Sequence, residues 1–103
     1  MELKLKSDIA KRKRFFTAES FAHPAKCHIG LLEWIVLNFT QEGEMILDPM
    51  LGSGTTLYAT LLGRSVIGVE LESKFCKMAE DNLKKLNQMP LYMGTKKRGQ
   101  AQI

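Results

Sequence analysis

Asp48-Pro49-Met50-Leu51-Gly52-Ser53-Gly54-Thr55-Thr56 is the stretch on which the fold turns. It begins where the short apolar run Met45-Ile46-Leu47 ends. That run is bounded by Gly43 and Pro49, which reads as a buried strand. The stretch leads into residues 55–62, where Leu57, Leu61 and Leu62 share one side of a helix and Gly63 stops it. Ser65-Val66-Ile67-Gly68-Val69 then reads as a second strand, with Glu70 at its end. Ser73 is the expected N-cap of a further helix reaching about Asn87. Its inner stripe is Phe75, Ala79, Leu83 and Leu86, and Glu80–Lys84 and Asp81–Lys85 are its outer pairs.

Upstream, residues 28–39 carry Ile29, Leu32, Val36 and Phe39 at helical spacing. Leu31, Trp34 and Ile35 widen the stripe, so this helix is expected to be buried on more than one side. The order is helix, strand, glycine loop, helix, strand, helix. A strand–helix–strand unit of this length means two parallel strands joined by a right-handed crossover. Two strands are too few for a sheet buried on both faces. The remainder of a doubly wound domain is therefore expected in a missing part or another chain.

The chain has 103 residues, 45% of them hydrophobic and 25% charged, as in an ordinary small globular domain. No apolar run approaches the roughly 18 residues of a membrane span. The start, Met1-Glu2-Leu3-Lys4-Leu5-Lys6, lacks the apolar region of a secretory signal. Cys27 and Cys76 are too far apart to suggest a metal knuckle. They read as reduced core-filling thiols, with a cytoplasmic location and no metal.

The net charge is +4, but residues 1–14 alone carry +4 and residues 90–103 carry +3, around a middle of −3. We expect a basic flexible arm over 1–21, a ligand-binding segment over 22–90 and a basic flexible tail over 91–103. Basic ends attract nucleic acid by counterion release or simply solubilise the chain. Phe15, Phe16 and Phe21, beside the basic run, either stack on bases or plug an apolar hole.

A glycine-rich turn between strand and helix brings backbone amides and a helix N-terminus to a ligand. An acidic residue closing the next strand, here Glu70, accepts both hydroxyls of a ribose. The P-loop needs Gly-Lys-Ser/Thr, and Gly54 is followed by Thr55. The dinucleotide fingerprint needs a third glycine where this chain has Leu57. A ligand with a ribose, no pyrophosphate and an amino-acid end remains, and Asp48 offers a carboxylate for its ammonium. S-adenosylmethionine has that layout.

These residues resemble the DNA amino-methyltransferases that modify adenine N6 or cytosine N4. The stretch 48–56 is similar to that family's cofactor motif, with Met50 in its aromatic slot. His23-Pro24-Ala25-Lys26 resembles the His-Pro motif before the first helix, although His28 stands where the family usually has proline. Gly68-Val69-Glu70-Leu71 and Phe75-Cys76 complete the likeness, which covers about residues 22–87. The resemblance implies an α/β, partial Rossmann-like methyltransferase fold. It implies that Asp48 holds the methionine ammonium and that Gly52, Ser53 and Gly54 line the methionine moiety. Pro49 and Thr55 belong to the same motif. Glu70 would bind the ribose, Leu71 would pack on the adenine, and His23, Pro24 and Lys26 would close the methionine end. His28 is given no catalytic role.

The family's catalytic element is a Pro-Pro-aromatic turn that holds a flipped base. The prolines here are Pro24, Pro49 and Pro90, and none adjoins another. The expectation is thus a cofactor-binding segment of a DNA methyltransferase, truncated or split and inactive alone. It contains no catalytic residue of its own, and its partners are DNA and a missing catalytic chain or domain. The alternative is a non-catalytic or nucleic-acid-binding module that complements a catalytic chain. A methyltransferase for RNA or a small molecule is a weaker third reading.

Overall fold

The computed structural model describes residues 2–22 and 26–103. Its elements in order are α1 (Ile9–Phe15), a 3-10 turn (Ala18–Ala22), α2 (Ile29–Phe39), β1 (Met45–Asp48) and a 3-10 helix (Thr55–Leu62). There follow β2 (Ser65–Gly68), α3 (Ser73–Leu86) and β3 (Ala101–Gln102). The expected α/β class and the central helix–strand–helix–strand–helix order are observed.

The sheet has three strands rather than two, in the order β1-β2-β3 and parallel throughout. The third strand comes from the segment read as a flexible tail. It is two residues long, too short to carry a periodic signal. The Val66 amide donates to the Gln100 carbonyl at 2.8 Å and the Gly99 amide to the Thr60 carbonyl at 2.9 Å. Gly99 permits this approach, since a Cβ there would lie 1.8 Å from the Arg64 carbonyl oxygen. Arg98 donates to the Leu86 carbonyl at 2.8 Å and also reaches that of Met89, satisfying the end of α3.

The sheet's two faces differ. Ile46 and Val66 are partners in register, and both pack into the core formed with α2, the 3-10 helix and α3. Leu47 and Ile67, also partners, point the other way and are 65% and 37% exposed. Met45 and Val69 extend this open apolar face. Parallel sheets normally have both faces covered; here, among the described residues, one face packs on the core and the other is open. The breadth expected for the buried face of α2 is corrected too. Leu32 and Val36 are buried, whereas Ile35 and Phe39 are exposed.

Several local readings also change. Residues 55–62 form a 3-10 rather than an α-helix, and the Thr60 hydroxyl bonds the Leu57 carbonyl three residues back. Glu72, not Ser73, is the N-cap of α3. Asp81 pairs with Lys77 at 3.2 Å, because Lys85 turns to the carbonyls of Phe16 and Lys13. The arm before α2 is packed as well. Phe15 and Phe16 fill the core, which settles their reading as plugs.

Candidate functional site

β1 and β2 end side by side, and the turns that leave them meet. Val69 donates to the Asp48 carbonyl and Leu51 to the Val69 carbonyl, both at 2.9 Å. These bonds extend the parallel pairing past Asp48 and bring the glycine loop against Glu70. The Glu70 carboxylate accepts the Gly52 amide on one oxygen and the Glu72 amide on the other, each at 2.9 Å. Asp48 accepts the Met50 amide at 3.0 Å and the Thr56 hydroxyl on its second oxygen.

Gly54 has φ +94°, the left-handed conformation that a side chain rarely adopts. A Cβ there would also lie 2.9 Å from Leu57 and 3.1 Å from Ala79. The loop can therefore turn sharply into the 3-10 helix only with glycine at 54.

A cleft of about 380 Å³ opens over this junction, within the size range of small-molecule sites. Of the residues singled out from sequence, Asp48, Gly52, Ser53, Thr55 and Glu70 line it. Gly54 is buried beneath, and Pro49 is exposed at the strand tip. Leu71 is 94% exposed. Lys26 lines a different cavity, with Asp8, Arg12 and His28, and donates to the Phe21 carbonyl at 3.0 Å. His23 and Pro24 lie outside the described residues.

Met50, Leu51, Thr56, Glu72 and Phe75 also line the cleft. Thr56 and Met50 belong to the quoted stretch, so their position was within reach of the sequence. Phe75 carried a helix-stripe signal and a place in the family likeness, neither of which assigned it to the site, and Glu72 carried none.

Cys27 is a further lining residue, and the core-filling role expected for it is corrected: it is exposed. Partial desolvation by the cleft wall pushes its thiol up, and the Asp48 carboxylate adds to this while Arg12 opposes it. It is thus a poor thiolate at neutral pH. Cys76 is half-buried and donates to the Glu70 carbonyl at 3.1 Å.

His28 caps α2, its Nδ1 accepting the Leu31 amide at 3.2 Å. Tyr58 is buried and donates to Glu33 at 3.1 Å. Burial and the Glu33 charge push its phenol well above the ordinary value. It is a core group, unable to stack on a base. Among the described residues, no group of three or more His, Cys, Asp or Glu side chains could hold a metal ion. None of the helices there is long and apolar enough to cross a membrane.

Among the described residues, the cleft lining carries three carboxylates, Asp48, Glu70 and Glu72, and no Lys, Arg or His. Its surface chemistry fits a ligand that brings positive charge and hydroxyl groups.

Comparison with known proteins matches residues 4–81 to a family described as DNA methylase. The chain is 45% identical over 67 residues to the type II methyltransferase M2.DpnII of Streptococcus pneumoniae, covering 64% of this chain and 25% of that protein. It is 38% identical over 68 residues to the DNA adenine methyltransferase YhdJ of Escherichia coli (strain K12), covering 65% and 23%. The chain thus spans about a quarter of the length of these relatives. The fold aligns with the solved structure of TTHA0409 from Thermus thermophilus at a TM-score of 0.55 and 23% identity, covering 99% of this chain and 47% of that one.

Proposed function

The chain belongs to the DNA methylase family, and from that premise we propose that it is the S-adenosylmethionine-binding part of a site-specific DNA methyltransferase. The whole enzyme would transfer a methyl group to an exocyclic amine of adenine or cytosine. The observation that carries this reading is the charge of the cleft. A site lined by carboxylates repels a pyrophosphate even where loop amides could hold it. This one presents three carboxylates, which favours a ligand with an ammonium and a sulfonium.

In this reading Asp48 takes the ammonium. Its oxygens already accept Met50 and Thr56, but a carboxylate has about four lone-pair sites, so acceptor capacity remains. Glu70 takes the ribose hydroxyls, and the Gly52 and Glu72 amides hold its two oxygens in place. Pro49, Gly52, Ser53, Gly54 and Thr55 shape the methionine end, which His23, Pro24 and Lys26 close. Leu71, already exposed, packs on the adenine. When bound, the cofactor supplies an electrophilic methyl group.

Methyl transfer to an exocyclic amine also needs the base held on its polar edge and stacked on a ring. The chain has no Pro-Pro turn for that purpose. The open apolar sheet face and the unpaired edge of β1 support a companion domain or chain that brings the turn. A free-standing nucleic-acid module reading DNA through basic ends is less well supported, because Arg12 and Arg98 bond inward to the chain's own carbonyls and Lys11 pairs with Glu33.

Incubation of the pure chain with labelled cofactor and mixed-sequence DNA tests the reading. We expect no transfer by the chain alone, and transfer on adding a polypeptide that carries the Pro-Pro-aromatic turn. Transfer by the chain alone, abolished by Asp48→Ala, would contradict the split.

A further inference from the structure

We infer that Arg12 is a positioning residue for the cofactor loop, acting from α1 on two residues that line the cleft. The inference rests on the cofactor reading above and adds to it a part for the basic arm. Arg12 is 5% exposed. Its guanidinium donates to the Thr55 hydroxyl at 3.2 Å and to the Cys27 carbonyl at 2.5 Å. Both residues line the cleft. Asp8 accepts from the same guanidinium at 3.4 Å, and the Phe16 ring lies 5.3 Å from it.

A second strut runs from the same arm. The Thr17 amide donates to the fully buried Asn82 at 2.7 Å, and Asn82 donates to the Ser53 carbonyl at 2.6 Å. The arm therefore fixes Ser53 and Thr55, the two residues that flank Gly54 in its left-handed conformation. A loop held on both sides of its turn keeps its geometry before the ligand arrives, which lowers the ordering cost of binding.

A purely structural role is a poor explanation for this guanidinium. Burying a charge costs desolvation, and a well-packed apolar side chain of similar size often stabilises a fold as well or better. Asp8, at 3.4 Å, is its only carboxylate partner among the described residues. The remaining bonds go to the two lining residues, where direction matters more than packing. Among the described residues, the Arg12 side chain bonds Thr55, Cys27 and Asp8, and none of these bonds reaches Glu70 or β2. Its influence falls on the methionine end and leaves the ribose end alone.

The test compares S-adenosylmethionine with adenosine, which lacks the methionine end, on the full chain and on Arg12→Met and Arg12→Lys. Titration calorimetry reads the first ligand and ligand-observed NMR the second. We expect Arg12→Met to weaken S-adenosylmethionine about tenfold, equal to one hydrogen bond to a charged group, and adenosine less than about twofold. Arg12→Lys, with one nitrogen in place of a fork, should recover part of the loss. The melting temperature of Arg12→Met should stay near that of the unaltered chain or rise. Equal loss of both ligands, no loss of either, or failure of both variants to fold would overturn the proposal. If the unaltered chain binds S-adenosylmethionine at no concentration, the cofactor reading itself fails, and this proposal with it.

Discussion

The loop from Asp48 to Thr56 and the arm from residue 2 to 22 are held in different ways. The loop is organised by near neighbours and by the strand beside it: Asp48 binds Met50 and Thr56, and Glu70 binds Gly52. The arm is organised by remote parts of the chain. Arg12 reaches Cys27 and Thr55, Thr17 reaches Asn82, and Lys85 reaches back to Phe16. A ligand site of this kind is thus shaped locally and steadied from a distance. The C-terminal segment repeats the arm's pattern, with Arg98 on the carbonyls of α3 and Gly99 against β2.

The difference can be broken first at the loop. Gly54→Val forces a branched side chain into a positive φ and against Leu57 and Ala79. Strain and overpacking together should cost about 3 kcal/mol or more of stability and abolish cofactor binding. Urea denaturation with calorimetry on the remaining folded protein checks both. A valine variant that binds normally would make the loop a mere connector.

The remote kind of support is tested at the other end of the chain. Gly99→Ala places a methyl carbon on the Arg64 backbone, so β3 must detach. We expect a loss of about 2–3 kcal/mol and faster amide exchange at Val66, with the cleft residues little altered. Exchange spreading equally to Gly52 and Glu70 would show that the two regions are not separable.

Back at the site, Glu70→Ala removes a charged acceptor and should weaken cofactor binding by about 1.5–3 kcal/mol while the fold persists. An unchanged dissociation constant would take Glu70 out of the site.

The smallest effect belongs to Asp8, which holds the arm to α2 through the Ile29 amide at 2.8 Å and also pairs with Arg12. Burial alone would raise its pKa, but the Ile29 bond, Arg12 and His28 together bring it below the ordinary 3.8. A lowered folded pKa means that ionised Asp8 stabilises the fold fully above 3.8, and that this stability is lost as pH falls through the lower folded value. Asp8→Asn should therefore cost about 1 kcal/mol at neutral pH, and the gap to the unaltered chain should close below 3.8. Melting curves across that range check it, and a gap that widens in acid would reverse the assignment.

The two regions also differ in how legible they are. Strand ends, the glycine loop and Glu70 announce themselves through residue type and spacing, because their chemistry is local. Five of the residues picked from sequence line the cleft for that reason. The positive φ of Gly54 follows from the same logic. Nothing near Arg12 in the sequence distinguishes it from Lys11 or Lys13. Its burial depends on partners 15 and 43 residues away. Glu72 entered the cleft through the turn after β2, for which the sequence has no signal. The two-residue β3 was equally invisible, since pairing by backbone needs no side-chain pattern. Ile35 and Phe39 are exposed although the helical stripe counted them as core, because α2 buries only the side that carries Ile29, Leu32 and Val36.

We propose that this chain carries a cofactor site centred on Asp48. Titration calorimetry with S-adenosylmethionine on the full chain, with Asp48→Ala alongside, tests it most directly. We expect measurable heat of binding for the unaltered chain at up to millimolar ligand, and none for Asp48→Ala with its circular dichroism unchanged. No heat from the unaltered chain, or equal binding by the alanine variant, would contradict it.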